Sequence, residues 1–145
     1  MKEFFRREYL SVMSGTTMAL IKIEDIEYIE RRGRRSYIQM EHKRYATTEK
    51  IQVIASQIGG RAFFRAMDSL IINFDHVERM EADGIYFSSG HVFSMGKNNM
   101  AKTRKAYKMY LLRFPPYSTM TDDRRWGIFE ASKVADQTEE DEGER

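Results

Sequence analysis

Three large apolar residues, Leu70-Ile71-Ile72, stand between Ser69 and Asn73. They constrain the fold more than any other stretch. Three residues cannot make a buried helix, and β-branched residues in a short apolar run favour a strand covered on both faces. Asn73 and Asp75 are turn formers that end it. Ahead of the run, Phe63 and Phe64 supply an aromatic anchor, while Arg65, Asp68 and Ser69 are left at one rim. The segment therefore reads as a core strand preceded by a solvated turn that carries polar chemistry.

The rest of the chain is cut to the same short lengths. Glu8 to Met13 reads as a strand, turned at Ser14-Gly15 into a hairpin partner over Thr16 to Ile23. From Ile26 to Glu30 apolar residues interleave with acids, the pattern of a half-buried strand. Gly33 permits a tight turn among Arg31, Arg32, Arg34 and Arg35. Ser36 to Met40 is the returning strand, and a turn at Glu41 to Arg44 leads to another at Tyr45. Thr47-Thr48 then looks like a helix N-cap. Ile51, Ile54, Ala55 and Ile58 follow at helical spacing, closed by Gly59-Gly60. Val77 to Glu81 and Ile85 to Phe87 flank Asp83-Gly84, a strong hairpin signal. Ser89-Gly90 turns into a last strand at His91 to Ser94. Over Lys97 to Leu112 the period becomes helical, with Met100, Tyr107 and Leu111 on one face and Lys102, Lys105 and Lys108 on another, until Pro115-Pro116 stops it. About eight short strands joined by hairpins, with two helices, predict a mostly β, α+β fold: an antiparallel β domain of short strands.

The 145 residues are enough for one domain and a tail. The net charge of +2 is unevenly spread. Residues 1–114 hold 20 Lys and Arg against 13 Asp and Glu, a net of +7, while residues 115–145 hold 4 against 9, a net of −5. The expected organisation is thus a basic folded domain over 1–114 and a C-terminal extension over 115–145. In that extension Trp126, Ile128 and Phe129 suit one docked helical turn, and the acidic run from Asp136 predicts disorder. A basic domain suits a polyanionic partner.

Catalysis finds little support. The absence of cysteine removes disulfides, thiolate metal sites and Cys nucleophiles. His42, His76 and His91 are scattered without ligand spacing. No Gly-rich loop precedes a helix, since Gly59-Gly60 follows one. The expectation is a protein that is not an enzyme, with no cofactor and no metal. No segment approaches the roughly 20 apolar residues of a membrane span, so a cytoplasmic protein without a membrane partner is expected. Binding chemistry is denser. Cations gather at Arg31 to Arg35, at Arg61 and Arg65, and at Lys97 to Lys108 with Asn98 and Asn99 alongside. Arginine donates in pairs to phosphate or to guanine edges, asparagine pairs with adenine, and serine donates to phosphate.

The order of these elements resembles the LytTR DNA-binding domain of bacterial transcriptional regulators. The likeness rests on Ile26-Glu27-Tyr28-Ile29-Glu30, on Tyr45-Ala46-Thr47, on the helix with Ile51, Ile54 and Ile58, and above all on Phe63 to Asn73. That last stretch is similar to the family's pattern of Phe, Arg, His, Ser and Asn at fixed spacing. Val77-Glu78-Arg79-Met80 and Val92-Phe93-Ser94 continue it, and the match runs from about Tyr9 to Phe114. The resemblance implies sequence-specific binding of double-stranded promoter DNA by turns entering successive major grooves. It places the DNA contacts on Arg34, Arg35 and Ser36, on Arg65, Asp68 and Ser69, and on Ser94, Lys97 and Asn98. Two departures stand out. Met67 replaces the family's His, with Asp68 next to it, and Met95-Gly96-Lys97 stands where Arg often follows the last serine. Most relatives carry a phospho-receiver domain ahead of the DNA reader. Here the likeness begins within the first ten residues, so the expectation is a stand-alone regulator or, failing that, a fragment of a longer chain. The alternative is a protein–protein module on the same scaffold, an anti-regulator or partner of a LytTR-type regulator; a homodimer or a regulator protein is the expected protein partner.

Overall fold

The computed structural model describes residues 8–60 and 62–114. Arg61, the expected turn at Trp126 to Phe129 and the acidic tail lie outside the described residues. Residues 1–109 form one compact unit and 110–145 a second. Of the second, the described part is the end of the last helix and Phe114, whose amide donates to the Tyr110 carbonyl at 2.8 Å.

In chain order the elements are β1 (Tyr9–Ser14), β2 (Thr17–Lys22), β3 (Tyr28–Arg32), β4 (Arg35–Gln39), β5 (Arg44–Thr47), α1 (Ile51–Ile58), β6 (Phe63–Met67), β7 (Leu70–Asn73), β8 (Val77–Glu81), β9 (Gly84–Phe87), β10 (Val92–Phe93) and α2 (Lys97–Arg113). They make a two-stranded sheet, β1-β2, a five-stranded sheet in the order β5-β4-β3-β7-β6, and a three-stranded sheet, β10-β9-β8. Every pairing is antiparallel. The mostly β, α+β expectation holds. No helix among the described residues is long and apolar enough to cross a membrane.

Side chains alternate across a strand, so the register of the five-stranded sheet sorts residues to its two faces. Ile29 pairs with Ile38 on one side and with Ile71 on the other. All three meet Leu10, Val12 and Ile21 of the β1-β2 hairpin and Ile51, Ile54 and Ile58 of α1 in one core. Each buried isoleucine contributes about 1.5–3 kcal/mol of apolar burial. The opposite face carries Tyr28, Leu70 and Ile72, since Tyr28 pairs with Ile72 and Glu30 with Leu70. There the Tyr28 ring lies 5.2 Å from both Phe87 and Phe93, and Phe74 lies between Phe64 and Tyr107. All four residues of β7 are buried. That is why its apolar run shows no alternation: both faces are covered.

Three expectations about the fold need correction. Phe63 to Met67 is itself a strand rather than an anchor with a rim. A β-bulge between Arg65 and Met67, with Ala66 fully buried, breaks its alternation. Thr47 and Thr48 do not cap α1, whose N-cap is Lys50 without a side-chain bond. The Thr47 hydroxyl instead donates to the Met13 carbonyl at 2.7 Å and accepts from the Glu49 amide at 3.2 Å. Glu27, expected on a wet strand face, is 1% exposed. Its Oε1 meets His91 Nδ1 at 2.8 Å, and its Oε2 finds no partner among the described residues. On α2, Thr103 joins Met100 as a buried residue one turn on, and Tyr107 reaches the Val77 carbonyl at 3.3 Å. Burial also raises the Tyr107 phenol above its usual pKa.

The Asp83-Gly84 hairpin forms as expected, but the glycine serves another purpose. A Cβ on Gly84 would sit 2.8 Å from the Phe93 carbonyl oxygen, so its absence lets β10 approach β9. Gly33, by contrast, takes φ 61° in the β3-β4 turn, a conformation other residues adopt only at a cost.

Candidate nucleic-acid interface

The register of the five-stranded sheet brings two turns to one end. β3 finishes at Arg32, and Gly33-Arg34 turns it into β4 at Arg35. β6 finishes at Met67, and Asp68-Ser69 turns it into β7 at Leu70. β3 and β7 are neighbours, and the Arg31 amide donates to the Ser69 carbonyl at 2.8 Å. The two turns are therefore clamped side by side through backbone. The β5-α1 segment reaches the same end, because Ser36 pairs with Thr47.

Within this end the side chains divide into tied and free. Arg31 Nη1 donates to the Ser36 hydroxyl at 2.9 Å and to the Glu49 carbonyl at 2.8 Å. The Ser36 hydroxyl donates to the same carbonyl at 2.6 Å. Ser36 is fully buried. It cannot touch DNA, which corrects its place among the expected contacts. It shares a strand face with Ile38, two residues on, and that parity alone could have revealed its burial.

Arg65 is exposed but also committed. Its Nε donates to the Met67 carbonyl at 3.2 Å and its Nη2 to the Asp68 carbonyl at 2.8 Å. The guanidinium thus ties off the bulged β6-β7 turn by its backbone rather than pairing with the Asp68 carboxylate. Asp68 is exposed at the tip and Ser69 half-buried beside it. Arg34 and Arg35 are exposed and form no ion pair or side-chain hydrogen bond among the described residues. Two guanidiniums with unspent donors, a carboxylate and a hydroxyl thus share one end of a sheet.

Ser94, Lys97 and Asn98 are exposed as well, but they belong to the three-stranded sheet and the start of α2. Phe93 packs on Tyr28, at the start of β3, whereas the two turns lie at its finish. The three expected sets therefore gather into two groups, the first two sets side by side at the end of the five-stranded sheet and the third apart from them. From Lys97 to Met109 α2 carries Lys97, Lys102, Arg104, Lys105 and Lys108 and no acid, so the second group also has a basic flank. No cluster of three His, Cys, Asp or Glu residues that could hold a metal occurs among the described residues.

The sequence model of the LytTr DNA-binding domain matches residues 16–108. Among solved structures, the chain is similar to the LytTr DNA-binding domain of a protein described as a methyl-accepting/DNA response regulator from Bacillus cereus. The TM-score is 0.59 at 14% identity, over 68% of this chain and 95% of that one. No curated protein matches. The family match, spanning more than half of the chain, and the shared fold lead to one assignment: the chain belongs to the LytTr DNA-binding domain family, and its general role is that of a DNA-binding transcriptional regulator.

Proposed function

We propose that the protein binds double-stranded promoter DNA sequence-specifically. In this reading the paired turns at the end of the five-stranded sheet enter one major groove, while Ser94, Lys97 and Asn98 make a second contact. The observation that carries it is the clamp between Arg31 and Ser69. It holds Arg34 and Arg35, with free donors, beside the Asp68-Ser69 tip. Guanidinium forks pair with phosphate or with guanine O6 and N7, and a carboxylate accepts from cytosine N4. Arg65 then positions the tip rather than reading a base.

Selection of bound duplexes from a random pool, followed by a salt titration, tests the reading. Enrichment of a common sequence is expected. With about five phosphates neutralised, log K falls against log salt with a slope near −4 to −5. A flat salt response, or no duplex bound at low salt, overturns it. The exposed acid at the tip favours a second reading, a protein–protein module that pairs with a LytTR-type regulator. Binding of such a regulator by a protein that ignores DNA would establish it.

A further inference from the structure

The face of the five-stranded sheet that carries Tyr28, Leu70 and Ile72 is covered over β7 and β6 and at Tyr28 and Gln39, where Gln39 is buried, but Arg32, Arg35 and Arg44 stand exposed on it. Across β3, β4 and β5 the register lines up three rows: Arg32 with Arg35, Glu30 with Tyr37 and Ala46, and Tyr28 with Gln39 and Arg44. Arg32, Arg35 and Arg44 are exposed and Tyr37 is half-buried. The first and last rows are four residues apart along β4, about 13 Å. From opposite ends of that strip, Arg44 and Arg32 lean to within 4.5 Å and 5.3 Å of the Tyr37 ring centroid. Guanidiniums stacked on an aromatic ring lose little further freedom when they bind, and their edge donors stay open.

The charge on this face is not balanced. Glu30 alone opposes it, 3.3 Å from Arg32 Nε, and Arg44 forms no ion pair with a described residue. A second arginine-on-tyrosine contact makes the comparison. Arg79 lies 4.1 Å from the Tyr86 centroid but is ion-paired with Glu78 and Glu81, while Tyr86 donates to Asp83 at 3.1 Å. There the acids neutralise the cation. Around Tyr37, Arg44 is stacked in the same way without an ion pair to a described residue, while Arg32 shares its charge with one partly buried acid, Glu30.

We propose that the open β3-β4-β5 face, built on Tyr37 with Arg32, Arg35 and Arg44, grips the sugar–phosphate backbone of duplex DNA beside the groove entered by the turns. The proposal rests on the DNA-binding reading above. The exposed cations of this face are three arginines, whose planar forks match phosphate oxygens. The face is continuous with the β3-β4 turn, since Arg35 belongs to both. The occupant is duplex rather than single-stranded nucleic acid, because base stacking needs an unoccupied ring face and the Tyr37 ring already holds two guanidiniums.

The test uses the full chain and a duplex selected from a random pool. Arg44→Ala should weaken binding several-fold at low salt, equally for selected and scrambled duplexes. It should lower the salt slope by about 1, and the Arg32→Ala, Arg44→Ala double variant by about 2. Hydroxyl-radical footprinting should show protection lost at a few sugars flanking the contacted groove, with the rest of the footprint intact. Tyr37→Leu, which removes the stacking platform and keeps the charges, should cost affinity that Tyr37→Phe retains. Parent-like affinity, slope and footprint in the double variant, with an unchanged melting temperature, overturns this surface while leaving the DNA-binding reading standing. A parent chain that binds no duplex overturns both. Loss of affinity confined to the selected sequence would make Arg44 a base reader and also overturn the phosphate assignment.

Discussion

The two turns at the end of the five-stranded sheet sit side by side and use arginine in opposite ways. In the β3-β4 turn, Arg34 and Arg35 reach solvent with their donors unspent. In the β6-β7 turn, Arg65 spends its donors on the carbonyls of Met67 and Asp68 and leaves an acid at the tip. Arg31, three residues before Arg34, is spent in the same manner on Ser36 and Glu49. A turn that must enter a groove needs a fixed shape and free chemistry, and one guanidinium cannot supply both. Arg31 and Arg65 hold the shape of the two turns, while Arg34, Arg35 and Asp68 stay exposed and, in the proposed reading, make the DNA contacts. Cationic residue counts alone would have treated these four arginines as equivalent.

The largest test of that division removes the free arginines. Arg34→Ala and Arg35→Ala should each cost about 1–3 kcal/mol of binding where they meet base edges, roughly 5- to 150-fold in affinity. Both side chains are exposed and form no ion pair or side-chain hydrogen bond with a described residue, so stability should stay within about 0.5 kcal/mol of the parent. Titration of a selected duplex alongside thermal melts separates the two quantities. Parent-like binding by a folded double variant would break the comparison outright.

The tied residues should behave in the reverse manner. Ser36→Ala removes a buried donor to the Glu49 carbonyl and a partner of Arg31, a loss of about 1–3 kcal/mol in stability. Arg31→Ala strips the same carbonyl of its second donor. Because the two side chains share partners, their effects should not add, and a double-mutant cycle should show coupling of about 0.5–3 kcal/mol. DNA affinity measured well below the melting point should change far less than stability. A large affinity loss at unchanged stability would place Arg31 among the free arginines.

Arg65→Ala should fall between these extremes. Two exposed side-chain-to-backbone bonds are worth about 0.5–1.5 kcal/mol each at most, and the tip they shape should loosen. Hydrogen exchange of the Asp68 and Ser69 amides reports this directly. Arg65→Lys should restore little, because a point-charge ammonium cannot bridge two carbonyls as a planar fork does. Full rescue by lysine would mean that charge, not geometry, is what the position supplies.

Most of the fold could be read in the chain because alternation and turn chemistry agreed. Gly33 and Gly15 fall in turns between paired strands, Asp83-Gly84 marks the β8-β9 hairpin with Gly84 already the first residue of β9, and the isoleucines of α1 line its buried face. Reading stopped where one rule was overruled by another. The bulge beside Ala66 hid β6, whereas the short apolar run of β7 was legible as a buried strand. Glu27 looked solvated because its covering group, His91, lies 64 residues away. At the site, Arg34, Arg35, Asp68 and Ser69 could be picked out as turn residues of suitable chemistry. The burial of Ser36 was present in its parity with Ile38 and was missed. The Tyr37 face was beyond sequence reading, because Arg32 and Arg44 meet on one ring only once the register of three strands is known.

The smallest expected effect lies in the acid that separates the two turns most sharply. Asp68 stands at the β6-β7 tip, next to a turn that carries Arg34 and Arg35. A carboxylate near phosphates repels them, yet it is also a good acceptor for cytosine N4. Asp68→Asn keeps the size and removes the charge, and Arg65 should hold the tip unchanged because it binds the Asp68 carbonyl rather than the carboxylate. If the acid only repels, affinity rises at low salt for every duplex. Exposed charge interactions are worth about 1 kcal/mol or less, so the gain is at most a few-fold and fades as salt is added. If the acid reads a base, affinity for the selected sequence falls instead, and preference at one position relaxes from cytosine towards adenine, which asparagine pairs with through N6 and N7. Repeating the duplex selection with Asp68→Asn distinguishes these outcomes. An unchanged selection with unchanged salt dependence would leave the tip without a role in binding, and the whole of the groove chemistry would then fall to the β3-β4 turn.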